Sequence, residues 1–283
     1  MGNTGLISIV EREHILSLLD HGKRNDGRKF DEYRKITLIP DFIPKAEGSA
    51  IVKLGRTKVI AGVKLQLGEP FPDTPEEGVV TATVEMIPIA SPEFESGPPR
   101  EDAIELARVT DRAIREARAV NQKGLVVIPG KKVWIIFIDI YVLDYDGNLF
   151  DACSLAAVSA LRNTKIPEIK IIKNDKGEEE VEILETTKPL KLDHIPISCT
   201  FAKIGKNLIL DPALKEEGIQ DARVTFALTE NDEICATQKG GSGSFSLDEI
   251  KKCIDIASER TKEIRSKLDS FTNAKGYPWA EDK

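Results

Sequence analysis

The feature that most constrains this chain is alternation. From Thr57 to Leu67 apolar residues recur at every second position, the mark of a strand with one face buried. Shorter segments of the same kind, Ile36 to Ile39, Ala50 to Leu54 and Val79 to Ile89, read as further strands, with Gly48 and Gly55 as breaks between them. A long apolar strand, Lys132 to Leu143, turns at Asp146 and Gly147. Pro196 to Ala202, Leu208 to Leu210, Val224 to Leu228 and Ile234 to Thr237 form a second strand set, and Asn174 to Gly177 reads as a hairpin tip. Helical spacing marks Ile7 to Leu19, stopped at Gly22. It marks Glu101 to about Val120 after the Pro-rich loop Ser91 to Pro99, with Ile104, Ala107, Ile114 and Ala117 as the core face. Small residues fill a helix from Ala152 to Arg162, and the pair Ser246 and Glu249 caps a last long helix. Two successive blocks of strands and helices predict an α+β fold built from related halves.

At 283 residues with 41% hydrophobic content, the chain has material for a sizeable core. Cys153, Cys199, Cys235 and Cys253 are widely spaced within apolar stretches, so buried, reduced thiols are expected. The first residues lack the pattern of a signal peptide, and no apolar run approaches the ~18 to 20 residues of a membrane span, so a cytoplasmic protein without membrane attachment is expected. Abundant Lys and Glu lean towards a heat-adapted source. A net charge of -7 repels nucleic acid as a whole, so any such contact must come from a local cluster.

Nucleophilic catalysis has little to build on. There are three histidines and no G-x-S-x-G, and His14 and His194 read as surface or structural residues. No His and Cys spacing suits zinc, and neither metal nor cofactor is expected. Gly240 to Gly243 precedes a helix as a phosphate loop would, but lacks the Lys-Ser/Thr ending and reads as a structural turn. Arg108, Arg112 and Arg115 recur at i, i+4 and i+7, which puts three guanidiniums on one helical stripe, successive ones about 5 to 6 Å apart. Such a stripe can track a nucleic-acid backbone. Spacing alone favours a solvated face, with Glu105 paired to Arg108 and Asp111 to Arg115, and leaves the other reading standing.

The ordered series Arg24-Asn25-Asp26-Gly27-Arg28, Gly48-Ser49-Ala50, Gly55-Arg56-Thr57-Lys58-Val59, Ile104-Glu105-Leu106-Ala107-Arg108 and Asp139 to Leu143 before Asp146-Gly147 resembles the RNase PH family from about residue 20 to 270. Ser96-Gly97-Pro98-Pro99 through Val109, with Val142-Leu143-Asp144-Tyr145, is similar to the non-catalytic RNase PH-like subunits of the archaeal exosome. The resemblance implies the RNase PH fold, of the ribosomal protein S5 domain 2-like type. It would comprise an N-terminal helix over 1–22, a first lobe over 23–190, a second over 191–272 and a tail over 273–283.

Active members of that family are phosphorolytic 3' to 5' exoribonucleases. They are expected to need paired arginines ahead of the Ile-Glu-Leu helix, a Gly-Ser/Thr-Arg phosphate grip after the long strand, and two Asp residues six apart. Here the matching positions hold Glu101 and Asp102, then Gly147-Asn148-Leu149-Phe150 with no arginine in reach of phosphate, then Glu217 followed by Arg223. Asp221 stands near the lost acid, and the sequence leaves open whether Asp221 or Glu217 retains a role. The resemblance therefore implies an RNA-binding subunit without catalytic residues of its own. Arg108, Arg112 and Arg115 would hold RNA for a catalytic homologue in a hexameric ring of three heterodimers that carries RNA-binding cap subunits. The alternative is a phosphate-dependent 3' to 5' exoribonuclease active by itself.

Overall fold

A computed structural model describes residues 9–173 and 179–271 of the chain. The first strand block forms one six-stranded sheet. In it β1 (Ile36–Pro40), β2 (Gly48–Leu54) and β3 (Thr57–Gly68) make an antiparallel meander. At the centre β6 (Lys132–Asp144) pairs antiparallel with β3 and parallel with β4 (Val79–Met86), and the short β5 (Val126–Ile128) adds to its start. Alternation decides which side of β6 is inward: Ile136, Ile138, Ile140 and Val142 are all fully buried. β7 (Lys165–Lys173) and β8 (Glu179–Pro189) pair with each other. A four-stranded antiparallel sheet follows in the order β10 (Asn207–Leu210), β9 (Ile197–Ile204), β11 (Ala222–Leu228) and β12 (Ile234–Gly241).

The helices are α1 (Ile9–Asp20), α2 (Glu101–Glu116), α3 (Leu149–Arg162), α4 (Leu214–Glu217) and α5 (Leu247–Phe271). Every residue of α3 from Leu149 to Leu161 is buried, because the helix packs against β2 and β3 on one side and β9 on the other. Ala152, Ala156, Ala157 and Ala160 let both sheets approach it closely. Strand β11 is covered on both faces. Val224, Phe226 and Leu228 meet Cys253 and Ala257 of α5, while Ala227 packs on Ala113 of α2 and Thr225 shares a 2.9 Å hydroxyl hydrogen bond with Thr200. That parity also turns Arg223 towards the helix layer.

A buried polar network joins the N-terminal segment to the second sheet. Asp211 is fully buried and accepts from Arg34 Nε (2.9 Å) and Nη2 (2.7 Å), Arg28 Nη1 (2.9 Å) and Asn148 Nδ2 (2.8 Å). Arg24 donates to Glu216 (2.9 Å) and to the Leu210 carbonyl (2.8 Å). Burial works to raise the Asp211 carboxyl, but the hydrogen bonds and charge of Arg34, with the charge of Arg28, override it and hold the group below its ordinary value. Next to it, Asp151 accepts from Thr200 Oγ1 (2.7 Å), Tyr33 Oη (2.7 Å) and Asn148 Nδ2 (2.8 Å). Burial dominates there and pushes its pKa up to about 6 against those donors.

Several elements differ from expectation for physical reasons. Ile104 is 48% exposed and Ala107 only half-buried, because in the first turns of α2 the core face runs one residue earlier, through Ala103 and Leu106; Ile114 and Ala117 are buried as expected. Helix α2 ends at Glu116, short of Val120. Gly48 is the first residue of β2, where a Cβ would stand 2.3 Å from Thr164 Oγ1. The strand from Val79 stops at Met86, ahead of Pro88, which has no N–H for a ladder. Helix α3 starts at Leu149 because Asn148, in the left-handed region, caps it by accepting from Asp151 N. Gly240 and Gly241 belong to β12 rather than to the turn. The Ser246 and Glu249 box forms in both directions, at 3.2 and 2.6 Å. Cys153, Cys199 and Cys253 are buried, Cys235 half-buried, and all four are free. Ile7, the hairpin tip Asn174 to Gly177 and the tail 273–283 lie outside the described residues.

Two outcomes follow. Asp211→Ala strands two arginines without their counter-charge and is expected to cost on the order of 3–5 kcal/mol, read from the denaturant midpoint; an unchanged midpoint would show that the network does not hold the lobes. Asp151 has a folded pKa above its unfolded value, so its contribution is fully present below about pH 4 and is lost as pH rises through about 6, a span of about 3 kcal/mol. The stability gap between the natural chain and Asp151→Asn should therefore narrow as pH goes from 4 to 7, and a gap independent of pH would contradict this.

Candidate nucleic-acid interface

Leu106, Val109 and Ala113 face inward as α2 packs on β4 and β12, which leaves Arg108 and Arg115 outward and Arg112 at the edge beside β12. Arg108 is exposed, and among the described residues its guanidinium has no ion pair or hydrogen bond. Arg112 is half-buried, with Nη1 at 3.5 Å from Gln238 Oε1 as its one hydrogen bond among the described residues. Arg115 is exposed and lies 3.5 Å from both Asp111 and Glu116. The expected pairing of Arg115 with Asp111 thus forms, and the pairing of Glu105 with Arg108 does not. Glu105 instead takes a 2.7 Å ion pair from Arg223 and a 2.9 Å hydrogen bond from Gln238 Nε2.

Arg223 and Gln238 are the residues that sequence reasoning missed as partners of this helix. The signal was present in the parity of β11: an arginine in register with Thr225 and Ala227 points at the helix layer, where a buried guanidinium requires a carboxylate. The guanidinium also lies 3.9 Å from the Phe150 ring centroid.

Beside the start of α2 is a cavity of about 710 Å³ between the end of β4, the loop before α2 and Tyr145. Phe94 and Tyr145 stack at 5.2 Å on its wall. Its rim carries Glu93, Glu95 and Asp102 against one cation, Arg100, which is itself paired with Glu95. Beneath it Glu217 is buried and has both oxygens occupied, by Tyr145 Oη and by Asn148 N, each at 2.8 Å. Burial raises its carboxyl above the ordinary value against those bonds. The Gly147 turn has arginines in reach after all: Arg34 donates to the Gly147 carbonyl at 3.1 Å, and Arg223 covers Phe150. Both are committed to carboxylates, Asp211 and Glu105, so neither is free for an anion. Asp221 is exposed and turned to the β9–β10 turn, accepting from Gly205 N at 2.7 Å. The pocket therefore has an anionic rim and no unoccupied acid at its base.

The other sequence candidates are structural in their contacts. His14 is exposed on α1, and His194 Nδ1 is 2.7 Å from Glu230. Gly243 N donates to the Asp221 carbonyl, closing the turn after β12. Among the described residues no cluster is arranged to hold a metal ion, and no helix is long and apolar enough to cross a membrane.

Comparison with known proteins agrees with this architecture. Residues 32–167 match domain 1 of the 3' exoribonuclease family, RNase PH, and residues 194–260 match its domain 2. The chain is 51% identical over 265 residues to a Pyrococcus horikoshii protein named exosome complex component Rrp42, covering 94% of this chain and 96% of that one. It is 49% identical over 262 residues to a Thermoplasma volcanium protein of the same name, covering 93% and 96%. A chain of the Archaeoglobus fulgidus exosome with RNA bound to the active site superposes with a TM-score of 0.84 at 43% identity, covering 92% of this chain and 98% of that chain. Rice Rrp46, at 18% identity and a TM-score of 0.64, shares the fold. With both domain matches in order and relatives of this identity along nearly the whole length, the chain belongs to the RNase PH family of 3' exoribonucleases.

Proposed function

We propose that this chain is a non-catalytic, RNA-binding component of an exosome that degrades RNA from the 3' end. The observation that carries the reading is the Arg223–Glu105 pair. Where active relatives are expected to hold their second acid, this chain has a buried cation stacked on Phe150 and bound to α2. An arginine so held supplies neither proton transfer nor metal binding.

Arg108 and Arg112, without carboxylate partners among the described residues, are the phosphate contacts, and Arg115, shared with Asp111 and Glu116, makes a weaker one. The chain would act in the cytoplasm as two lobes, 23–190 and 191–272. It would pair with a catalytic homologue as three heterodimers in a hexameric ring bearing RNA-binding cap subunits, and deliver the RNA 3' end to the partner's site. A head-to-tail contact of this kind must close into a ring or run on as a fibre.

The purified chain given inorganic phosphate and single-stranded RNA is expected to release no nucleoside diphosphates, whereas the ring with its partner does; release by the chain alone would make it an enzyme. In the assembled ring, R108E/R112E should lower affinity for single-stranded RNA by roughly tenfold or more and flatten the dependence of log K on log salt by about 1.4, two contacts at roughly 0.7 each. Unchanged affinity would leave the stripe a solvated face.

A further inference from the structure

Glu105 lies three residues before Arg108 on the same helical face, where an acid and an arginine ordinarily pair. Such a pair would blunt one of the two cations that the reading above gives to RNA. In the structure that carboxylate makes no ion pair with Arg108 among the described residues and is held from the second sheet. Its Oε1 receives Arg223 Nη2 at 2.7 Å and Gln238 Nε2 at 2.9 Å. Gln238 in turn presents its Oε1 to Arg112 Nη1 at 3.5 Å.

The surroundings are shaped for that guanidinium. Arg223 is 3% exposed and lies on the Phe150 ring. It stands opposite Gly240 in the β11–β12 ladder, where a Cβ would come within 2.6 Å of Arg223 Nη2. Any side chain at position 240 would thus press on the group that holds Glu105.

We propose that Arg223 is a positioning residue for RNA binding, acting through Glu105. By taking the Glu105 carboxylate it leaves Arg108 free for a phosphate, and through Gln238 it sets the direction of Arg112. The substitution that removes an acid from the pocket thereby also supports the RNA-binding face. This rests on Arg108 and Arg112 being RNA contacts, and the test separates the two claims.

Rings assembled with the catalytic partner are titrated with a labelled single-stranded oligoribonucleotide by fluorescence anisotropy at several salt concentrations. The chains compared are the natural one, R223Q, R223K, E105Q, R223Q/E105Q and R108E/R112E. R223Q should weaken binding roughly three- to tenfold, because an uncompensated carboxylate returns to the stripe. R223K keeps the ion pair and should retain most of the affinity. E105Q should bind at least as tightly as the natural chain, and R223Q/E105Q should return to the level of E105Q. That rescue is a response a merely structural role would not give. R223Q binding like the natural chain while R108E/R112E loses affinity overturns the role of Arg223 and leaves the RNA contacts in place. Weakened R223Q without rescue by E105Q overturns it as well, and R108E/R112E without effect overturns the RNA contacts themselves. Where R223Q rings fail to assemble, E105Q decides: weaker binding than the natural chain sinks the proposal, and equal or tighter binding supports it.

Discussion

Asp211 sits where three parts of the chain meet, and its carboxylate is what they share. Arg28 and Arg34 come from the segment before the first strand, Asn148 from the turn after the long central strand, and Asp211 itself from the end of β10. Each of these groups would be costly to bury alone, and together they satisfy one another. The turn at Asp146 to Asn148 depends on the same network. Gly147, at φ +88°, lies so close to the 212–214 backbone that a Cβ would meet it at 2.6 Å, and Asn148 both caps α3 and bonds to Asp211. The start of α3, and with it the packing of both sheets, is set by this junction.

The same junction also reaches the acid beside the neighbouring pocket. Glu217 remains, but its oxygens serve Tyr145 and the Asn148 amide, so the acid has become part of the frame. Arg34 and Arg223 both approach the turn, and each is spoken for by a carboxylate across the sheet boundary. In this region each of these arginines has a carboxylate inside the protein, Arg28 and Arg34 sharing Asp211 and Arg223 taking Glu105. On the outer side of α2, Arg108 and Arg112 have none among the described residues, and that imbalance gives an acidic chain a local surface suited to a polyanion.

Much of this was legible in the sequence, because strand alternation and cap residues are local signals. Thr57 to Leu67 and Lys132 to Leu143 announce their burial pattern, and Ser246 with Glu249 announces its cap. The errors have two kinds of cause. Ile104 was placed inward since hydrophobicity favours Ile over Ala, whereas the sheet face selects Ala103 and its i+3 and i+7 companions by phase. The reading that paired Glu105 with Arg108 fails since the helix rule sees only neighbours, while the partner of Glu105 lies 118 residues away. Gly48 shows the same limit: a close approach to Thr164 requires it, and nothing adjacent in sequence signals that contact.

Helix α3 carries a consequence for how the chain comes to be made. It belongs to the first of two separately matched domains, yet one of its sides is covered by β9 of the other. During synthesis the helix emerges before that strand does, with Ser154 and Asp151 awaiting Ser198 and Thr200. A nascent first half therefore displays an apolar, partly polar groove that only the remainder of its own chain fits, and stalling between the two leaves a surface prone to association.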